Sequence, residues 1–212
     1  MNLFLDKYFK LFFIFLSTFI FIIICLRAYF IPFNHDESAT FFTYIQSDSY
    51  MPYTSHVYTN NHILNSGLSN ICYHLFGSHR FYLRIPNILS FIIFCFGLFR
   101  FSNQLNKPSS KIILISFLML CFNFLDFFEM CRGYGLSLAF LTLGLSYLSS
   151  YFEHKIIKQL CMFYFLLHIA LIANLTLLVP LVLLISLVLI FQIRTKLFFN
   201  VFNFALLFCP KK

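Results

Sequence analysis

Apolar runs that approach the thickness of a bilayer recur along nearly the whole chain, and they dictate its fold class. They lie at about Leu11–Leu26, Leu83–Phe99, Ile112–Phe128, Tyr134–Leu148, Leu160–Ala173, Leu175–Ile193 and Leu197–Phe208. A helix needs about 20 residues to cross the hydrocarbon core, within a range of roughly 17–25. Backbone N–H and C=O groups in lipid must be paired internally, so such runs become helices. Composition agrees: 60% of the 212 residues are hydrophobic, 33 are Phe and only 10% are charged. A soluble domain carries about 25% charged residues. The expectation is an all-α polytopic membrane protein with about 6–7 transmembrane helices, forming one membrane domain over residues 1–212. Disorder, collagen and a disulfide scaffold are excluded by the same numbers.

The net charge of +8 comes from Lys and Arg scattered between the apolar runs. Membrane topology asks for that pattern, and it carries no sign of a nucleic-acid partner. Lys7 and Lys10 precede the first run, but no small-x-small cleavage site follows it. The run therefore reads as an uncleaved span. The stretch Leu160–Ile193 reads either as one long run or as two helices turning at Asn174 and Pro180. With the N-terminus in the cytoplasm, inner segments carry nine basic residues: Lys7, Lys10, Arg100, Lys107, Lys111, Lys155, Lys158, Arg194 and Lys196. Outer segments carry four: Arg27, Arg80, Arg84 and Arg132. The positive-inside rule then places residues 30–80 on the outer side as a large first loop.

That loop holds three of the seven acidic residues and five of the seven histidines. Asn34 followed by Glu37 predicts a capping box that opens a short helix. A second helix is predicted from Asn60 or Asn61 to Gly77. Its apolar side holds Ile63, Leu64, Leu68, Ile71, Cys72, Leu75 and Phe76. Its polar side holds Asn65, Ser66, Ser69, Asn70, Tyr73 and His74, so it would lie in the membrane interface.

Four groups could carry chemistry. Asp36 and Glu37 are neighbours that point different ways on a helix, which suits different jobs. A carboxylate at a bilayer edge can hold its proton more tightly than one in water, so Asp36 suits a general base toward a hydroxyl. Glu37 suits a capping role. Asp126, Glu129 and Arg132 follow at three-residue spacing, so Glu129 could reach both partners on a helix. The bland reading is an interfacial salt bridge ended by Gly133. His62 at a helix start could donate to a phosphate, or simply belong to a polar cap. Arg80 and Arg84 could attract an anionic headgroup or serve as interfacial anchors. His168 reads as an interhelical hydrogen-bond partner. No metal set is indicated: the spacings of His35, His56, His74 and His79 match no usual zinc pattern. The seven cysteines form no CxxC pair, and only Cys72 and Cys131 would lie near the outer surface. Asn174-Leu-Thr176 matches a glycosylation sequon but is pressed against the membrane.

The order of these features resembles the amino-terminal half of GT-C fold glycosyltransferases. The nearest likeness is to bacterial protein-mannosyltransferase-like and lipopolysaccharide-core transferase-like enzymes. The likeness rests on Asp36-Glu37, on Asn61-His62-Ile63-Leu64, on Arg80-Phe-Tyr-Leu-Arg-Ile-Pro86 and on Glu129-Met-Cys-Arg-Gly-Tyr134, and covers roughly residues 10–150. His62 is followed by Ile63 where the family commonly has Pro. The resemblance implies sugar transfer from a polyprenyl-phosphate donor on the outer face of the inner membrane, with inversion. The acceptor would be a glycan, a lipid or a protein. It implies Asp36 as base, with Glu37 supporting it or shaping the acceptor site. His62, Arg84 and Arg132 would hold the donor phosphate, and Asp126 and Glu129 would form an acidic patch near the acceptor. No cofactor is implied; a divalent metal is possible without being indicated. Family members are longer, and the last apolar run has only about 12 residues. The expectation is therefore an amino-terminal part that inserts in membranes but transfers little sugar alone. A transporter is the rival class. It would carry charges near the middle of its spans.

Overall fold

The computed structural model describes residues 2–54 and 61–194. His56, Asn60 and the run Leu197–Phe208 lie outside the described residues. Two compact units are present, Met1–Leu175 and Thr176–Lys212.

In the first unit, α1 (Asn2–Phe30) leads through α2 (His35–Thr40) and a π turn (Phe41–Ile45) to α3 (Ile63–Phe76). Next come α4 (Arg80–Ser102), α5 (Pro108–Met119), α6 (Phe122–Glu129), α7 (Tyr134–His154) and α8 (Ile157–Ala173). The second unit contributes α9 (Leu178–Arg194). No strand occurs among the described residues.

Four stretches among the described residues are long and apolar enough to cross a membrane: Lys7–Phe30, Arg80–Ser102, Tyr134–His154 and Leu175–Ile193. The pair α5 and α6, bent by 56°, makes a fifth if it counts as one broken span. The expected single run Ile112–Phe128 is thus two helices. No Gly or Pro marks the break. Cys121 is extended there, and the turn lets Phe128 of α6 meet Phe91 and Phe94 of α4, each at 5.2 Å. The stretch 160–193 divides after Ala173, where Asn174 is extended and buried. At 17 residues, α8 is a shorter apolar helix.

Spacing explains the packing. On α1, Phe9, Phe13, Leu16, Ile20, Ile24 and Ala28 recur every three or four residues and are all buried. They share a core with Phe91, Phe94 and Leu98 of α4 and with Ile115 and Met119 of α5. The opposite face of α1 leaves Phe15 and Phe19 exposed, the side a bilayer would wet. A close backbone approach joins α4 to α7. A Cβ on Gly97 would stand 2.7 Å from the Leu143 nitrogen. Small residues at helix contacts allow such approach. His168 bonds the Tyr164 carbonyl at 2.7 Å on its own helix, rather than a neighbour. The α8 face that packs inward is Phe163, Leu166, Leu167 and Ala170, and His168 falls opposite it.

The segment between α1 and α4 is anchored by polar bonds. The polar stripe of α3, Asn65, Ser66, Ser69 and Asn70, is buried, while Ile71, Leu75 and Phe76 are exposed. Asn87 of α4 donates to Asn65 Oδ1 at 2.6 Å, and Ser69 donates to the Leu83 carbonyl at 2.8 Å. Asn70 donates to the Ile45 carbonyl at 2.8 Å. The helix starts at Ile63, with His62 in the cap position but its side chain turned elsewhere. Gly77 ends it at φ +88°, a conformation that favours glycine. Asp48 accepts a bond from His74 at 2.9 Å, which holds the Asp48 carboxyl below its ordinary range.

Candidate functional site

Asn34 accepts from the Glu37 N–H at 2.7 Å, and Glu37 accepts from the Asn34 N–H at 3.1 Å. This capping box starts α2 and fixes the directions of its first two carboxylates. Glu37 turns inward. Its side chain is 1% exposed and meets Arg84 through two bonds, at 2.9 and 2.7 Å. The Cys131 N–H also donates to it, at 2.6 Å. The other N–H groups of Arg84 donate to the carbonyls of Ala28, Ile31 and Pro32. All five donors of that guanidinium are thereby engaged within the fold. Burying such a pair is tolerable because every group in it is bonded. Arg84 therefore stands as a clamp joining α1, α2 and α4, with no N–H left over for a phosphate. A second feature serves the same junction. Cys131 is fully buried, not near the surface, and burial pushes its thiol up to about 11. It donates to Ser69 Oγ at 3.4 Å as a neutral thiol.

Asp36 turns outward. Its side chain is 54% exposed and meets Arg132 at 2.9 Å, although Arg132 is itself only 4% exposed. Arg132 is reached because α6 stops at Glu129 and Met130 is extended. The three-residue spacing from Glu129 to Arg132 therefore does not run along a helix. Arg132 also donates to the Tyr134 hydroxyl at 3.2 Å and lies 5.3 Å from that ring's centre. Tyr134 in turn packs edge-on against His62, with ring centres 4.9 Å apart.

His62 is buried, and its Nδ1 faces the Ala173 carbonyl at 3.2 Å. A carbonyl can only accept, so Nδ1 carries the hydrogen. Burial first, then the Arg132 charge, pushes the imidazole from its usual 6.5 down to about 4. At neutral pH the ring is neutral, and Nε2 presents a lone pair. That nitrogen is buried with no hydrogen-bond partner among the described residues. His62 is thus built to accept a bond from a hydroxyl. It is not built to donate one to a phosphate. Gly133 makes this meeting possible. A Cβ there would stand 1.8 Å from the Ala173 oxygen and 2.9 Å from His62 Cβ.

Asp126 and Glu129 converge, and the cation they share is Arg27 of α1, at 2.9 Å from each. Arg27 had only a place in the charge count in the sequence. The signal for its role was available in principle, since Arg27 ends a span at the pole where the acids lie. Three arginines and four carboxylates thus gather where α1 ends and α4 and α7 begin. They form a row: Arg27 with Asp126 and Glu129, Arg84 with Glu37, and Arg132 with Asp36. Of these, only Asp36, Arg27 and Asp126 reach the surface to any extent. Arg80 is not in the row; it donates to the Tyr29 carbonyl at 2.9 Å. No three His, Cys, Asp or Glu side chains come together to hold a metal ion among the described residues. A cleft of about 560 Å³ lies beside α2, walled by Phe33, Phe41 and Phe42 and flanked by Arg80. No family model, no curated protein and no solved structure matches this chain.

Proposed function

We propose that the chain is a multi-pass inner-membrane glycosyltransferase with a cytoplasmic N-terminus. It would move a sugar from a polyprenyl-phosphate donor to a hydroxyl acceptor at the outer face. The observation that carries this reading is the exposed carboxylate of Asp36 held 2.9 Å from the buried guanidinium of Arg132. Beside them, His62 offers a buried acceptor nitrogen. Asp36 takes the proton of the acceptor hydroxyl as its oxygen bonds to the anomeric carbon. The bond from that carbon to the phosphate oxygen breaks, and the phosphate leaves with the electron pair. A fixed cation at the developing phosphate charge is the largest single help such a step can receive. Arg132 has that part. His62 accepts a bond from a sugar hydroxyl and so orients the donor. Glu37 and Arg84 hold α2 in place. Arg27 pairs with both Asp126 and Glu129, which form the acidic wall on the acceptor side. An isoprenoid tail would find apolar walls in the cleft beside α2.

Donor binding tests the reading. A photoactivatable polyprenyl phosphate should label the wild-type chain in proteoliposomes. Labelling should fall about tenfold or more in R132M, given the strength of charge-assisted bonds, and stay near wild type in K107Q, which removes an exposed cation beyond the far end of α4. Equal labelling of wild type and R132M would remove Arg132 from the proposal.

A further inference from the structure

At the opposite pole of the first unit, where α4 and α7 end and α8 begins, a cleft of about 610 Å³ opens. Arg100 and Lys158 line it. Arg100 is held in place: its Nε lies 3.4 Å from Ser146 Oγ, and its guanidinium lies 4.2 Å from the centre of the Tyr147 ring. Neither cation meets a carboxylate among the described residues. The surrounding chain is basic as well. Residues 100–111 and 153–158 carry Arg100, Lys107, Lys111, Lys155 and Lys158 against a single acid, Glu153.

Most of the remaining wall is apolar and exposed, from Ile156, Cys161, Met162 and Phe165, beside the half-buried Tyr147 and Gln159. Met162 and Phe165 follow Lys158 at four and seven residues along α8, so they share its face. Phe165 is 60% exposed. Seven residues of helix advance about 10 Å. The cleft thus has cations at one end and an uncovered apolar track leading toward the middle of the helix. A soluble phosphate compound would use the first feature and leave the second in contact with water. An amphiphile with an anionic head uses both. Basic pockets at the ends of membrane helices suit such headgroups.

We infer that this cleft binds one anionic glycerophospholipid, its phosphate between Arg100 and Lys158 and an acyl chain over Met162 and Phe165. The inference rests on the membrane reading of the chain and is independent of sugar transfer.

Native mass spectrometry of the purified full chain, titrated with phosphatidylglycerol or phosphatidylcholine, tests it. Wild type should bind phosphatidylglycerol in preference. The R100Q/K158Q variant should lose about thirtyfold in affinity for it, at the usual worth of two surface cations. The K107Q/K111Q variant removes the same charge outside the cleft, and its loss should be about fivefold smaller. In parallel, phosphatidylglycerol should slow maleimide labelling of the exposed Cys161 in the cleft wall of wild type but not of R100Q/K158Q. Equal losses in the two double variants would overturn the site, as would equal binding of both lipids. Protection of Cys161 by inorganic phosphate alone would replace the lipid with a free anion. If the chain inserts in bilayers without a phosphatidylglycerol preference, only this inference falls. If it does not insert, the membrane reading falls too.

Discussion

Arg132 and His62 meet through Tyr134, and each is set by a different force. Arg132 is buried yet paired with Asp36 at 2.9 Å. His62 loses its charge because burial disfavours the ion, at about 4 against the usual 6.5. The sign of the consequence is fixed. The unfolded chain takes up a proton near pH 6.5 and the folded chain resists it until about pH 4. Stability is therefore intact above pH 6.5 and falls as pH drops through that window, by about 3 kcal/mol in full. Thermal unfolding in detergent should show a steeper loss between pH 7 and 5 in wild type than in H62Q. Parallel curves would mean His62 is not held neutral. Arg132 makes a second expectation. R132K keeps the charge but not the planar fork, so transfer should drop about a hundredfold while the fold persists. A rate within threefold of wild type would show that charge alone suffices at that position.

At the scale of elements, glycines decide how closely helices approach. A Cβ on Gly97 would stand 2.7 Å from the Leu143 backbone nitrogen, whereas one on Gly144 would stand 3.5 Å from Leu166 Cβ. G97V should therefore destabilise by about 1–3 kcal/mol, read as a lower unfolding temperature, and G144A by far less. Equal shifts would mean the α4–α7 contact yields. Much of this architecture is legible in the sequence. The span of α4, the capping box at Asn34 and the stop at Gly77 all follow from residue type and spacing. The bend after Met119 does not, because no breaker sits there and the turn answers to the docking of Phe128 on α4. The sidedness of α3 is visible as a pattern, but not its partner. Asn65 and Ser69 find Asn87 and Leu83 across 22 and 14 residues.

At the largest scale, charge in the first unit is sorted by pole among the described residues. The arginine–carboxylate row and the basic cleft lie at opposite ends of the first unit. Asp36 and Arg132 stand out in the sequence as rare charges near span ends, and His62 as a polar group at a helix start. Their meeting depends on Gly133 and on a chain reversal after α6, which spacing does not encode. The Glu37–Arg84 pair, 47 residues apart, is invisible for the same reason. The proposed orientation has its own check. In a cysteine-free background, S78C should react with an impermeant maleimide added outside intact cells, and K107C should not. The reverse pattern would invert the topology and put the arginine row inside. The central claim is that Asp36 activates a hydroxyl toward a polyprenyl-phosphate sugar. Its most direct test is transfer from radiolabelled polyprenyl-phosphate hexoses and pentoses by the protein in proteoliposomes, wild type beside D36N. Transfer by wild type that disappears in D36N, with equal membrane insertion, is the predicted result. Near-full transfer by D36N, or sugar flux across the vesicle without any transfer, would contradict it.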